Sequence, residues 1–310
     1  HPNLITTELA QGEIVCVLPA GHRLARESVI QPGMLAGEML VTDPRVDLIS
    51  FTGSTGVGKR IMEQGAGTLK RVFLELGGKS AKIVLDDAPS FAMDVARTML
   101  VFHAGQGCAV HSRLLVPRSR YEEAKAVLKG AYGNFGDNWG DVENPAHIMG
   151  PVVSKRQMER VKSYIDLGQQ EGATLLAGGN IRPDKGGGYF VEPTCFVDVT
   201  NDMRIAQEEI FGPVLVVIPY EDDEDAIRIA NESSYGLSGG VSRSHDRAIN
   251  IARKVRTGSM SVKNGMCIAG DIPFGGFKAS GMGREWGLEG IEEFTDVKML
   301  AWPVGQVEAA

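Results

Sequence analysis

Along most of this chain, short apolar runs of strand length alternate with longer stretches in which apolar residues recur every three or four positions. No other feature restricts the fold as much. Strand and helix in repeated alternation call for a parallel sheet covered by helices, an α/β architecture. Strands are predicted over residues 12–18, 46–51, 72–76, 81–85, 112–116, 215–219 and 259–262. Helices are predicted over 58–65, 91–103, 121–132, 154–171, 223–232 and 244–255. In the 154–171 helix, Met158, Val161 and Ile165 share one face, and Ser154 is placed to cap the N-terminus. Pro and Gly clusters mark loops at 144–151, 182–188 and 270–283.

Composition narrows the function classes. The net charge of −7 argues against a nucleic-acid surface, which needs a clustered basic face. No apolar run approaches the roughly 20 residues of a membrane-spanning helix, and the first residues lack the basic-then-apolar pattern of a signal peptide. Cys16, Cys108, Cys195 and Cys267 are scattered, without a Cys-x-x-Cys pair. Neither a zinc ribbon nor a disulfide framework is expected, and a reducing cytoplasmic setting is the default.

The 39 glycines exceed the roughly 7% of average usage, and many of them sit in chemically suggestive motifs. A strand enters the turn Gly53-Ser54-Thr55-Gly56-Val57-Gly58-Lys59 and then a helix, an arrangement that can hold a phosphate on backbone N–H groups. Gly53-x-x-x-x-Gly58-Lys59 nearly matches a Walker A loop, but Arg60 stands where Ser or Thr must bind Mg²⁺. The same turn can also be a plain helix entry. Glu75 ends an apolar strand ahead of Gly77-Gly78-Lys79-Ser80. Burial there would raise its pKa and make it a usable general base, whereas exposure would leave an ordinary carboxylate. Cys108, in Gly105-Gln106-Gly107-Cys108, is open to a substrate, and a helix starting there would lower its thiol pKa. Otherwise it is a small buried hydrophobe. His103 and His111 flank it and read as structural. Glu208-Glu209-Ile210-Phe211-Gly212-Pro213 precedes an apolar run, and Pro273–Glu285 is a Gly-dense loop with two aromatics.

Taken in order, "FTGSTGVGK", "ELGGKS", "GQGC", "EEIFGPV", "NESSYGLSGGV" and "PFGGFKASGMGRE" closely resemble the aldehyde dehydrogenase superfamily over about residues 42–303. The ordered set is specific where each motif alone is not, and it displaces the Walker A reading. The resemblance implies that Cys108 is the nucleophile and Glu75 the base that activates water. It implies that Gly53 and Ser54 lie at cofactor phosphates, that Leu76 belongs to the cofactor site, that Glu209 holds the nicotinamide ribose, that Phe211 packs near the nicotinamide, and that Phe274 lines the substrate pocket. The implied activity is oxidation of an aldehyde to a carboxylic acid with NAD or NADP through a thioacyl-enzyme. The stretch 297–304 resembles the family's oligomer-forming strand, so a homo-oligomer is expected.

The family's N-terminal "PWN" and "KP-[S/A]-E" segments have no counterpart, since the chain contains no Trp-Asn and no Lys-Pro dipeptide. The expectation is an N-terminally truncated member with weakened dinucleotide binding and an oxyanion hole short of its side-chain donor, a loss of about 10²–10³ in rate. Such a chain could persist as a cofactor-independent Cys-dependent esterase. Residues 1–41 resemble a short stretch of the effector-binding domain of LysR-type regulators, without their basic helix-turn-helix. The expected division is an atypical segment over 1–41, a remnant of the dinucleotide-binding domain over 42–77, a catalytic domain over 78–280 and a C-terminal segment over 281–310. The apolar run Ile14–Leu18 is expected to cover the exposed edge of the remnant sheet or to pair with a partner chain.

Overall fold

The computed structural model describes residues 4–6, 17–19, 36–185, 187–242, 245–262 and 269–302. The elements run in chain order as β1 Leu4–Thr6, β2 Val17–Pro19, α1 Ala36–Thr42, β3 Leu48–Thr52, α2 Thr55–Gly65, β4 Arg71–Glu75, β5 Ala81–Val84 and α3 Phe91–Ala96. Next come β6 Arg113–Pro117, α4 Tyr121–Phe135, α5 Lys155–Gln170, β7 Thr174–Ala177, β8 Thr194–Val197, α6 Arg204–Gln207 and β9 Val214–Tyr220. The last are α7 Asp223–Asn231, β10 Tyr235–Gly236, β11 Gly239–Ser242, α8 His245–Lys254, β12 Ser261–Val262, β13 Phe277–Lys278, β14 Gly281–Met282 and α9 Gly287–Glu292.

The expected α/β architecture is present. Its centre is a seven-stranded sheet in the order β12-β11-β5-β6-β9-β8-β7, parallel throughout except for β7. Helices bury both faces, so the strands are apolar on both sides rather than alternating. Along β9, Val214, Val216 and Ile218 enter the core beneath α5, α7 and α8, while Leu215 and Val217 enter the core beneath α3 and α4. Full burial of such a residue contributes about 1.5–3 kcal/mol. A second sheet, β14-β4-β3, has β3 and β4 parallel and β14 antiparallel to β4. Residues 76–80 run directly from the last residue of β4 in this small sheet to the first of β5 in the large one, and the candidate site forms there.

Three expectations change. The helix predicted over 91–103 ends at Ala96. Beyond it the chain turns through left-handed His103 and Ala104 and sets Gly105 so tightly on the Gly212–Pro213 backbone that a Cβ there would overlap it. A straight helix could not make that approach. The segment expected to cover the small sheet behaves otherwise in its described part: Val17–Pro19 pairs antiparallel with Leu4–Thr6. Residues 12–16 lie outside the described residues. Finally, β7, β8 and β11 belong to the large sheet, although the sequence reading placed no strand there.

Candidate active site

Glu75 is the last residue of β4, and its backbone lies between Thr52 of β3 and Gly281 of β14. Its side chain is buried, and neither carboxylate oxygen has a hydrogen-bond partner among the described residues. Burial, reinforced by the charge of Glu285 and opposed by Arg284, pushes the carboxyl up to about 8. A carboxylate with both oxygens free and a pKa near the working pH suits a general base.

The next residues are fixed by their backbone. Leu76 donates its N–H to Ser280 O at 2.9 Å, and the Ser280 hydroxyl donates to Gly77 O at 2.6 Å while accepting from Gly236 N–H at 3.0 Å. Gly78 N–H then donates to Glu209 Oε1 at 3.0 Å. Side chains are excluded from this turn. A Cβ on Gly77 would collide with the Glu209 carboxylate, and one on Gly78 would collide with the Cys108 carbonyl oxygen. The Gly pair is therefore the physical link that brings Glu75, Cys108 and Glu209 together.

Cys108 sits in a turn, partly buried. No helix begins at it, so the expected lowering of its thiol pKa does not occur. Burial, with the charges of Glu75 and Glu209, pushes the thiol up to about 11. A thiol so placed needs a base to become a nucleophile, and Glu75 is the carboxylate whose charge it feels most. The flanking histidines serve elsewhere. His103 stacks on Phe102, with centroids 4.0 Å apart, and His111 approaches Ser238 Oγ at 3.5 Å. Burial, helped by Lys82, drives His111 down to about 4, so its imidazole is neutral at pH 7.

Glu209 follows α6 in a loop held by one face of α5. Gln157 Nε2 donates to Ile210 O at 3.0 Å and Phe211 O at 2.7 Å, Arg160 donates to Glu209 O at 2.6 Å, and Tyr164 Oη donates to Glu208 Oε2 at 2.6 Å. Spacings of three and four put these side chains on one helical stripe. They hold Phe211 in the left-handed region, at φ 58° and 37% exposed, beside the site. The sequence reading missed this stripe. Only the recurrence of Gln157, Arg160 and Tyr164 at spacings of three and four beside the apolar face could have signalled it.

The Gly53 turn lies one strand away. Gly53 N–H is taken by Glu75 O at 3.0 Å, so it is not free for a phosphate. Ser54 caps α2 through Val57 N–H, and the first turn of that 11-residue helix offers its remaining N–H groups. The Walker A reading fails on geometry: Gly58 is inside α2, packed on the Leu76 side chain, and Lys59 is exposed on the helix. Leu76 turns its side chain against Gly58 of α2. Phe274 exchanges two backbone hydrogen bonds with Glu285, and its ring lies 5.5 Å from that of Trp286. These bonds tie the Phe274 segment to the one whose Glu285 acts on Glu75. No group of metal-ligating side chains occurs, and no helix is long and apolar enough to cross a membrane, among the described residues.

A nicotinamide dinucleotide fits what is present. Glu209 is a half-buried acceptor in a cradle that a Cβ on Gly77 would fill, and α2 supplies an anion-binding N-terminus. The chain is 46% identical over 276 residues to a 3-succinoylsemialdehyde-pyridine dehydrogenase of a Pseudomonas species, which takes in 87% of this chain and 56% of that protein. It is 41% identical to a geranial dehydrogenase of Castellaniella defragrans over 96% of this chain and 65% of that one. Its fold is similar to that of a Mycobacterium tuberculosis aldehyde dehydrogenase complexed with NAD+, with a TM-score of 0.84 and 42% identity over 90% of this chain and 58% of that one. The chain thus spans a little over half the length of such relatives. The sequence profile of the family matches residues 18–300, reaching into the stretch that resembled LysR-type regulators and leaving that resemblance without support. With the profile match and the relatives in agreement, the chain belongs to the aldehyde dehydrogenase family.

Proposed function

We propose that this chain carries the thiol chemistry of an aldehyde oxidation, converting an aldehyde to a carboxylic acid through a thioester at Cys108. The observation that carries this reading is the meeting of Glu75, Cys108 and Glu209 on the Gly77–Gly78 turn. Glu75 takes the Cys108 proton, directly or through one water, and Sγ adds to the carbonyl carbon. The Cys108 backbone N–H would donate to the oxygen that becomes negative. A nicotinamide, when bound, supplies the acceptor for the aldehydic hydride. Glu75 passes that proton to solvent and, ionised again, draws a proton from the water that attacks the thioester; the C–S bond breaks, Sγ departs as the thiolate, and the carboxylic acid is released. Glu209 would accept the ribose hydroxyls, the α2 N-terminus at Ser54 would meet the phosphates, and Phe211 would pack on the nicotinamide. NAD is the cofactor favoured by the Mycobacterium tuberculosis relative, whose structure contains it.

Phe274, with Trp286 beside it, supports an apolar wall for the substrate. Division at residues 77/78 into a cofactor side and a catalytic side belongs to the same proposal. So does a homo-oligomer, supported by the exposed apolar run Val297, Met299, Leu300 and Trp302, which joins no strand among the described residues. A reducing compartment agrees with Cys108 and Cys195, both free thiols. Cofactor-independent ester hydrolysis gains no support from the relatives.

The test is one preparation assayed in two arms, with Cys108→Ala as control. Formation of NADH from a panel of aldehydes, abolished in the variant while cofactor binding is retained, is the expected result. Hydrolysis of an activated aryl ester without any NADH formation would replace this reading with a hydrolase.

A further inference from the structure

Of Gly105-Gln106-Gly107-Cys108, the proposed chemistry uses only the thiol and backbone of Cys108. Gln106 is half-buried, and its side-chain amide bonds to backbone on two sides. Nε2 donates to His103 O at 3.1 Å, and Oε1 accepts from Val153 N–H at 2.9 Å. The backbone N–H of Gln106 donates to the same His103 O at 3.0 Å. One residue thus grips the turn ahead of Cys108 twice and fastens it to a segment 47 positions away.

That turn is strained. His103, Ala104 and Gly105 stand in succession at φ 48°, 51° and 68°. Glycine adopts this left-handed backbone freely. Histidine and alanine hold it only where their surroundings over-determine it. Two contacts do so here. Gly105 is seated against the Gly212–Pro213 backbone with no room for a Cβ, and Gln106 clamps His103 O. The two contacts belong to one closed circuit. Val153 immediately precedes Ser154, the N-cap of α5. Gln157, in the first turn of α5, donates to Ile210 O and Phe211 O. Phe211 adjoins Gly212, on which Gly105 rests. The circuit therefore runs from Gln106 through Val153, the start of α5, Gln157 and Phe211 to Gly212 and back to Gly105. Cys108 lies two residues beyond the clamp, with its carbonyl oxygen against Gly78.

We propose that Gln106 is a positioning residue for Cys108: its amide closes this circuit and so fixes the nucleophile's turn against the loop that carries Glu209 and Phe211. Without it, the left-handed run relaxes and the thiol shifts relative to that loop. A misplacement of about 1 Å costs on the order of 10²-fold in rate. The step so served rests on the proposed function. The placement of the thiol rests only on this chain.

Gln106→Met keeps the length of the side chain and loses both bonds, with Gln106→Ala as a second such variant should Met fail to fold. Gln106→Glu keeps an acceptor for Val153 N–H and loses the donor to His103 O. The first readout needs no activity: alkylation by iodoacetamide at pH 8, followed separately on the Cys108 and Cys195 peptides. The charges that face the Cys108 thiol are those of Glu75 and Glu209, and no variant touches them. Release of the turn from burial is expected to speed alkylation of Cys108 about tenfold in Gln106→Met, as one unit of thiol pKa does. Cys195, buried in β8, is expected to stay unreactive, and Gln106→Glu to stay closer to the parent than to Gln106→Met. Equal Cys108 rates in the parent and Gln106→Met overturn the proposal. So does equal acceleration at Cys195, which would make Gln106 a packing residue. The second readout is NADH formation. Turnover is expected to fall by about 10- to 100-fold in Gln106→Met, with NAD+ affinity by fluorescence quenching unchanged and turnover largely rescued in Gln106→Glu. Weakened NAD+ affinity with unchanged turnover would make Gln106 a support of the cofactor loop and overturn the proposal. Absence of NADH formation in every form, the parent included, would overturn the proposed function, while the alkylation rates still decide the placement of Cys108.

Discussion

The end of β4 and the α6–β9 connection each bring a glutamate to one place, Glu75 buried and Glu209 half-buried, and they hold it in opposite ways. Glu75 ends a strand that is fixed on both sides by β3 and β14, yet its two oxygens have no hydrogen-bond partner among the described residues. Glu209 lies in an irregular loop, yet its carboxylate is gripped by Gly78 N–H and its backbone by Arg160. A rigid backbone with an unsatisfied carboxylate keeps proton affinity available for chemistry. A pinned carboxylate has spent that freedom on orientation and suits recognition. The contrast supports the two roles proposed above, Glu75 as base and Glu209 as acceptor for a bound diol.

The sharpest way to break this comparison is to neutralise each acid without changing its shape. Glu75→Gln is expected to lower turnover by about 10²–10⁴ and to leave cofactor affinity as it was. Glu209→Gln should do the reverse, raising the cofactor KM with a smaller change in turnover. The parent rate should rise with pH through about 8 as Glu75 ionises. Stability moves in the other direction. A carboxyl held at about 8 when folded and 4.5 when unfolded loses stability as pH climbs between those values. Glu75→Gln should therefore resist urea better than the parent at pH 9 and no better at pH 4.5. A stability gain that does not depend on pH would mean that the Glu75 carboxyl is not shifted by burial.

Much of this was legible in the sequence, and what was missed has physical causes. The strands β5, β6 and β9 are buried on both faces; β9 reads as an apolar run, and β5 and β6 read as apolar apart from Lys82 and the leading Arg113. Ser154 caps α5 by accepting from Gln157 N–H, as its position predicts. By contrast β11 is Gly239-Gly240-Val241-Ser242, low in intrinsic strand preference. It is central because its neighbours leave no room: a Cβ on Gly240 would crowd His111, Lys82 and Ser261. The strands β7 and β8 are four residues each, too short for a period to show. The thiol environment was misread because it depends on which carboxylates lie near in space. Glu75 and Glu209 are 134 positions apart, and no local pattern reports their meeting at Cys108.

The Gly pair is the next point of attack. Gly77→Ala places a methyl group against the Glu209 carboxylate, so the grip from Gly78 N–H must loosen or the loop must shift. Loss of a hydrogen bond to a charged group costs about 1.5–3 kcal/mol. Cofactor affinity is expected to fall by roughly 10- to 100-fold, with aldehyde KM little affected. Direct titration with NAD+ measures it. An unchanged affinity would separate Glu209 from the cofactor altogether and leave the turn a purely structural link.

The smallest effect is expected on α5. Gln157 donates from one side-chain nitrogen to two carbonyls, Ile210 O and Phe211 O, and so helps hold Phe211 at φ 58°. Left-handed backbone at a bulky residue carries a cost of order 1–3 kcal/mol that surrounding contacts must offset. Gln157→Ala removes part of that offset while leaving Arg160 and Tyr164 on the loop. A net contribution of about 0.5–1.5 kcal/mol gives a cofactor KM about 3- to 10-fold higher and an almost unchanged turnover. Arg160→Ala, which frees the Glu209 backbone itself, should exceed it. If the two variants instead change turnover more than cofactor KM, the 208–212 loop acts on the reacting carbon, and the separation between an acid that binds and an acid that reacts no longer holds.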